Sequence, residues 1–161
     1  MKKLILSVAC VLAAVSAYAQ GTVLFANAGA GLNAPVFDVD TTTRLAGTAF
    51  MAQLYVGSSA TEGSLTAVAG TANFLTGTAA GFFSGGTKTL TGFAGGTKPF
   101  LQVRAWAASG GATYDAALAA GAKVGKSSVF QMANALGNPA GEPPTPAASM
   151  AGMTGFSLVP E

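Results

Sequence analysis

Two stretches of this 161-residue chain alternate apolar and polar side chains with period two. From Phe50 to Val56, Phe50, Ala52, Leu54 and Val56 share one face, and Met51, Gln53 and Tyr55 share the other. From Phe100 to Ala107, Leu101, Val103 and Ala105 alternate with Phe100, Gln102, Arg104 and Trp106. Successive strand residues point to opposite faces, so each stretch predicts a strand with one face on a core. Shorter runs predict further strands at Thr22 to Asn27, Val36 to Val39, Thr87 to Thr91, Val129 to Met132 and Phe156 to Val159. Weaker ones fall at Leu65 to Ala69, Ala72 to Leu75 and Gly81 to Phe83. Gly, Thr and Ser separate these runs, and Ala28-Gly29-Ala30-Gly31 reads as a turn. Gly85-Gly86-Thr87-Lys88 recurs as Gly95-Gly96-Thr97-Lys98, which predicts two hairpin turns rather than a functional repeat. Tyr114 to Ala120 instead strings together helix formers, with Thr113 as N-cap and Gly121 as stop. A helix of two turns cannot stand alone, so it must pack on a sheet. Many short strands with turn signals every 8–12 residues or so imply an all-β, antiparallel β-sandwich with one short helix.

The termini read differently. Lys2 and Lys3 precede an apolar run from Leu4 to Ser16, and Ala17-Tyr18-Ala19 places small residues where a signal peptidase reads them. Cleavage is expected between Ala19 and Gln20, with export as the consequence. The expected organisation is a signal peptide at 1–19, a β-sandwich domain at 20–136, and a Pro/Gly-rich loop or linker at 137–152. A final strand follows at 153–161, with the start of a sorting motif at Val159, Pro160 and Glu161. Without Lys2 and Lys3 the mature chain keeps six basic and six acidic residues, so its formal net charge is zero. That balance offers no cluster of Lys or Arg for nucleic acid. The only cysteine, Cys10, lies inside the segment expected to be removed, and the chain contains no histidine.

These absences constrain the chemistry. Zinc sites of the usual kind, and Ser–His or Cys–His nucleophiles, need residues the mature chain lacks. Asp38, Asp40, Glu62 and Asp115 stand in no glycosidase motif. Lys126 with Ser127 or Ser128 is disfavoured as a Ser–Lys pair, because neighbours on a strand face opposite ways. Gly125-Lys126-Ser127 resembles the end of a phosphate-binding P-loop, but the first glycine of that motif would fall on Ala120, so no nucleotide is expected. Asp38 and Asp40 form a weak calcium candidate; Asn33 and Thr42 are the nearest further oxygens, and the alternative is a hairpin turn. Tyr55 and Trp106 are the candidates for stacking on sugar rings. No catalytic residue and no cofactor are expected.

Gly155-Phe156-Ser157-Leu158-Val159-Pro160-Glu161 resembles the lead-in to the Val-Pro-Glu-Pro motif of exported PEP-CTERM proteins. The stretches Gly21 to Asn27, Phe100 to Trp106 and Gly110 to Tyr114 also look like the bodies of such proteins. The resemblance implies processing by an exosortase as well as a signal peptidase. It also implies a proline, about 20 apolar residues and several arginines beyond Glu161, since a spanning helix needs that length. A second resemblance concerns the fold. Thr89 to Thr97, followed by Phe100, is similar to the E-to-F corner of fibronectin type III domains. It points to an immunoglobulin- or fibronectin-like sandwich, with a jelly roll as the alternative. The expected function is a non-catalytic structural protein of the envelope or extracellular matrix. Its expected location is the cell surface, the exterior or the periplasm, beside exopolysaccharide or other envelope components. The alternative is a carbohydrate-binding module that uses Tyr55 and Trp106.

Overall fold

The computed structural model describes residues 20–29 and 31–160. The expected signal segment, with Ala17 and Ala19, and the terminal Glu161 lie outside the described residues. In chain order the strands are β1 (Gln20–Ala26), β2 (Ala28–Gly29), β3 (Leu32–Asn33), β4 (Val36–Phe37), β5 (Gly47–Gly57) and β6 (Thr66–Phe74). They continue as β7 (Ser84–Ala94), β8 (Phe100–Ala107), β9 (Val124–Lys126), β10 (Phe130–Gln131), β11 (Ala148–Ser149) and β12 (Phe156–Ser157). One α-helix, α1 (Tyr114–Ala119), follows β8.

The fold is all-β and sandwich-like. A larger sheet has the order β10-β8-β5-β6, with β9 also paired to β8; a smaller one has the order β11-β1-β7. The inward faces meet in one apolar core. Val23 and Phe25 of β1 and Leu90 of β7 come from one sheet, and Ala52, Leu54, Leu101, Val103 and Ala105 from the other. Those of β5 and β8 are the residues that the period-two pattern assigns to one face. Phe83 packs against Phe25 and Phe74, with ring centroids 4.8 and 5.6 Å apart. The long strand pairs are antiparallel, as expected. Two short pairs, β1 with β11 and β4 with β12, are parallel.

Glycine is used differently from the sequence expectation at two places. Gly70 separates the two weak strands expected between Leu65 and Leu75, yet β6 runs through it. Gly70 adopts φ +81°, and the pairing of β6 with β5 shifts register there. The bulge diverts Val68 O, and Gln53 Nε2 donates to it at 3.0 Å. Gly85-Gly86 is likewise not a hairpin turn. It lies inside β7, where a Cβ on Gly85 would stand 2.4 Å from the ring of Phe25. The second copy, Gly95-Gly96, is a turn, but it passes from β7 in one sheet to β8 in the other and is not a hairpin.

The Pro/Gly-rich stretch expected as a loop or linker returns to the body. Thr22 and Gly137 exchange both backbone hydrogen bonds, each at 2.9 Å. β11 then pairs with β1, and Met150 is buried in the core. Its prolines keep most of it irregular, but its apolar residues find the sandwich and hold it there. At the other end, Leu158 N donates to Phe37 O at 2.9 Å, and Val159 exchanges two bonds with Val124. The residues expected to open a sorting motif are therefore partly built into the sheet.

Candidate functional site

The larger sheet carries side chains outward as well as inward. β5 and β8 pair in continuous register, with Tyr55 opposite Gln102 and Gln53 opposite Arg104. Such pairing brings the outward residues of neighbouring strands into contact. Helix α1 closes one end of this face. Thr113 caps it, its hydroxyl accepting from Ala116 N at 3.2 Å, and Gly121 ends it at φ +65°. Tyr114 and Ala117 turn toward the sheet and form a second apolar cluster with Trp106 and Val124.

Trp106 is thus 0 % exposed, its ring edge-on to Tyr114 with centroids 6.4 Å apart. Its Nε1 donates to Gly111 O at 2.9 Å. Tyr55 is 6 % exposed, and the Arg104 guanidinium lies 4.0 Å from its ring centroid. The expectation that these two rings stack on sugar is therefore corrected. A stacking platform needs a free face, and here the helix covers one ring while a cation lies over the other. Burial holds the Tyr55 hydroxyl above its ordinary pKa, with the nearby Arg104 charge opposing that rise.

What gathers on this face is a polar frame around Arg104. Gln102 is 1 % exposed; its Nε2 donates to Ser127 O at 3.0 Å, and its Oε1 accepts from Arg104 Nε at 2.9 Å. Arg104 also lies 5.3 Å from the ring centroid of Tyr114. Its terminal Nη2 stands 3.6 Å from Glu62 Oε1, whereas Lys126 Nζ reaches the same oxygen at 2.7 Å. Glu62 is consequently held below the ordinary carboxylate pKa. The Lys126 hydrogen bond is the main cause, and the charges of Lys126 and Arg104 add to it. Beside Lys126 opens a cleft of about 360 Å³ lined by Tyr114, Leu118, Val124, Ser157 and Val159.

The P-loop lookalike takes part in this frame. Val124 to Lys126 is strand β9, and a bulge at Ser127 separates it from β10. Ser127 Oγ accepts from Val103 N at 3.0 Å and donates to Ser128 O at 2.8 Å. Its hydroxyl stands in for a ladder partner that the bulge removes. Ser127 is buried and Lys126 is exposed, so the two do not meet as a nucleophile and its base.

Asp38 and Asp40 do not form one site. Both Asp38 oxygens face Lys123 Nζ, at 3.0 and 2.9 Å. Asp40 accepts from Thr42 N at 3.0 Å, from Thr43 N at 2.7 Å and from the Thr43 hydroxyl. The loop closes further through Asp38 N to Thr43 O at 2.7 Å, with Thr41 at φ +61°. This is the hairpin turn that the sequence offers as the alternative to calcium. The Thr43 hydroxyl, followed by the backbone amides of Thr43 and Thr42, lowers the Asp40 pKa to about 2. A depressed folded-state pKa stabilises the turn above the ordinary value of 3.8, and that stabilisation is lost as pH falls through about 2. A carboxyl-detected NMR titration should place the Asp40 midpoint near 2, and Thr43→Val should move it upward. A midpoint unchanged by that substitution would contradict the hydrogen-bonding cause.

Arg104, Gln102, Lys126 and Glu62 come together without having been expected as a site. The available signal was the alternation itself, which puts Gln102, Arg104 and Trp106 on one face of β8. Neither the pairing of Tyr55 with that face nor the approach of Glu62 across the fold is visible in the local sequence. No protein-family model, curated protein or solved structure matches this chain.

Proposed function

We propose that this chain is a non-catalytic, exported structural protein of the cell envelope or extracellular matrix. The observation that carries the reading is how its polar side chains are spent: they staple distant segments to the sandwich. Lys123 and Asp38 join positions 85 residues apart. Asn27 is fully buried and bonds Ala34 O, Gly81 O and Phe83 N at 2.8, 2.9 and 2.7 Å. A body whose polar groups cross-tie it in this way suits a structural role. The expected signal cleavage between Ala19 and Gln20 supports export. The resemblance of the Val159-Pro160-Glu161 lead-in to PEP-CTERM proteins supports sorting to the surface, with exopolysaccharide or other envelope components as its surroundings. A further prolongation of the chain would hang from Val159, which the sheet already grips. The test is fractionation of the producing cells, followed by N-terminal sequencing. Protein beginning at Gln20 in the envelope or matrix fraction is the expected result. Protein that keeps Met1 and stays in the cytoplasm would overturn the proposal.

A further inference from the structure

We propose that Arg104 and Lys126 form a binding site for the carboxylate of an acidic sugar, and that Glu62 occupies this site in the free protein. The ligand class is a polysaccharide bearing uronic-acid residues. The inference rests on the reading of an exported matrix protein, which would meet such polymers, and it gives that protein a specific ligand.

The first argument is the preparation of Arg104. Its Nε is held by Gln102, which is itself buried and anchored on Ser127 O. Its guanidinium rests 4.0 Å from the Tyr55 ring centroid, and its side chain is only 12 % exposed. An ordinary surface ion pair needs no such frame, whereas a recognition site depends on one. The second argument is that Glu62 does not fill the arginine fork. An arginine fork accepts a carboxylate through two parallel bonds. Glu62 instead lies 3.6 Å from Arg104 Nη2 and makes its short contact with Lys126. One carboxylate oxygen thus faces two cations.

The third argument is that Glu62 can leave. It stands on a single 3-10 turn, Glu62–Ser64, which has no buried residue and no side-chain cap. Withdrawing it breaks nothing in the core. The fourth is the neighbouring cleft, whose volume of about 360 Å³ falls within the range of small-ligand sites. Among the described residues that line it, Leu118, Val124 and Val159 give it apolar patches, Ser157 a hydroxyl, and Lys126 a positive charge. A sugar ring presents one carboxylate, several hydroxyls and an apolar C–H face, which this lining matches. A run of acidic peptide would bring further carboxylates to a lining with no further cation.

The test uses the full-length chain, purified from whatever compartment holds it, so that binding and export are read separately. Oligogalacturonate is titrated calorimetrically at low salt, with oligoglutamate of equal length as the competing class. Glu62→Gln keeps the shape of the side chain and removes its charge. It should tighten oligogalacturonate binding by about tenfold, roughly one charge-assisted contact. Lys126→Met, at an exposed position, should weaken binding by about tenfold without altering the circular dichroism spectrum. Oligoglutamate should bind more weakly than oligogalacturonate. The proposal is overturned if neither the wild type nor Glu62→Gln binds oligogalacturonate. It is equally overturned if Glu62→Gln weakens binding or leaves it unchanged, if Lys126→Met has no effect, or if oligoglutamate binds as well.

Discussion

Replacing Trp106 with alanine should destabilise the fold by about 3–5 kcal/mol, the usual cost of deleting a fully buried large aromatic side chain. The indole fills the space between β8 and α1, against Tyr114, Ala117 and Val124, and is 0 % exposed. Removing it leaves a cavity and also strips Gly111 O of the Nε1 donor at 2.9 Å. A short helix has little stability of its own, so α1 should loosen together with that cavity. Trp106→Phe keeps most of the packing and loses the hydrogen bond, so its cost should be about 1–2 kcal/mol. Urea denaturation of the wild type and both variants separates the two contributions. An exposed sugar platform would behave otherwise. Its Trp106→Ala variant would shift the unfolding free energy by no more than about 0.5 kcal/mol.

Asn27→Asp should be about as damaging, and its effect should depend on pH. Asn27 Nδ2 donates to Ala34 O and Gly81 O, and Oδ1 accepts from Phe83 N, all in the interior. A carboxylate keeps the acceptor for Phe83 but turns a negative oxygen toward two carbonyls. Gly81 O retains Val36 N as a donor, whereas Ala34 O loses its side-chain donor. A buried charge without a partner costs about 3–5 kcal/mol, so a loss of that size is expected at neutral pH. Burial and the facing carbonyls raise the folded-state pKa of the introduced carboxyl above its unfolded value. A raised folded-state pKa means the folded protein binds the proton more tightly, so the loss should shrink as the pH is lowered through that value. Asn27→Ala should cost about 3 kcal/mol by orphaning Phe83 N and Ala34 O, with no comparable pH dependence. Unfolding curves at pH 7 and pH 4.5 distinguish the cases; equal pH behaviour of the two variants would refute the buried-charge account.

Both variants touch points where tertiary structure reassigns what the sequence suggests. Tyr55 and Trp106 attract attention as aromatics on the polar face of their strands. Their burial is decided by α1 and Arg104, which reach them from other parts of the chain. Asn27 stands at the end of a strand candidate and gives no local sign that it will bind a loop more than 50 residues away.

The sequence alone determined the elements whose cause is local. Period-two alternation placed β5 and β8 and chose the faces that meet in the main core, because a strand's side chains alternate whatever surrounds them. Thr113 and Gly121 bounded α1, because a cap bond and a left-handed stop act within a few residues. The turn chemistry at Asp38 to Thr43 was legible for the same reason. Tertiary structure decided the rest. It turned Gly70 and Gly85 from breaks into a bulge and a close packing point. It drew the 137–152 stretch back onto β1, and it set Val159 beside Val124. It also brought Glu62 and Lys126 to Arg104 across 42 and 22 positions of sequence. Those outcomes depend on which surfaces are left to be covered once the two sheets have met, and no short window of sequence contains that information.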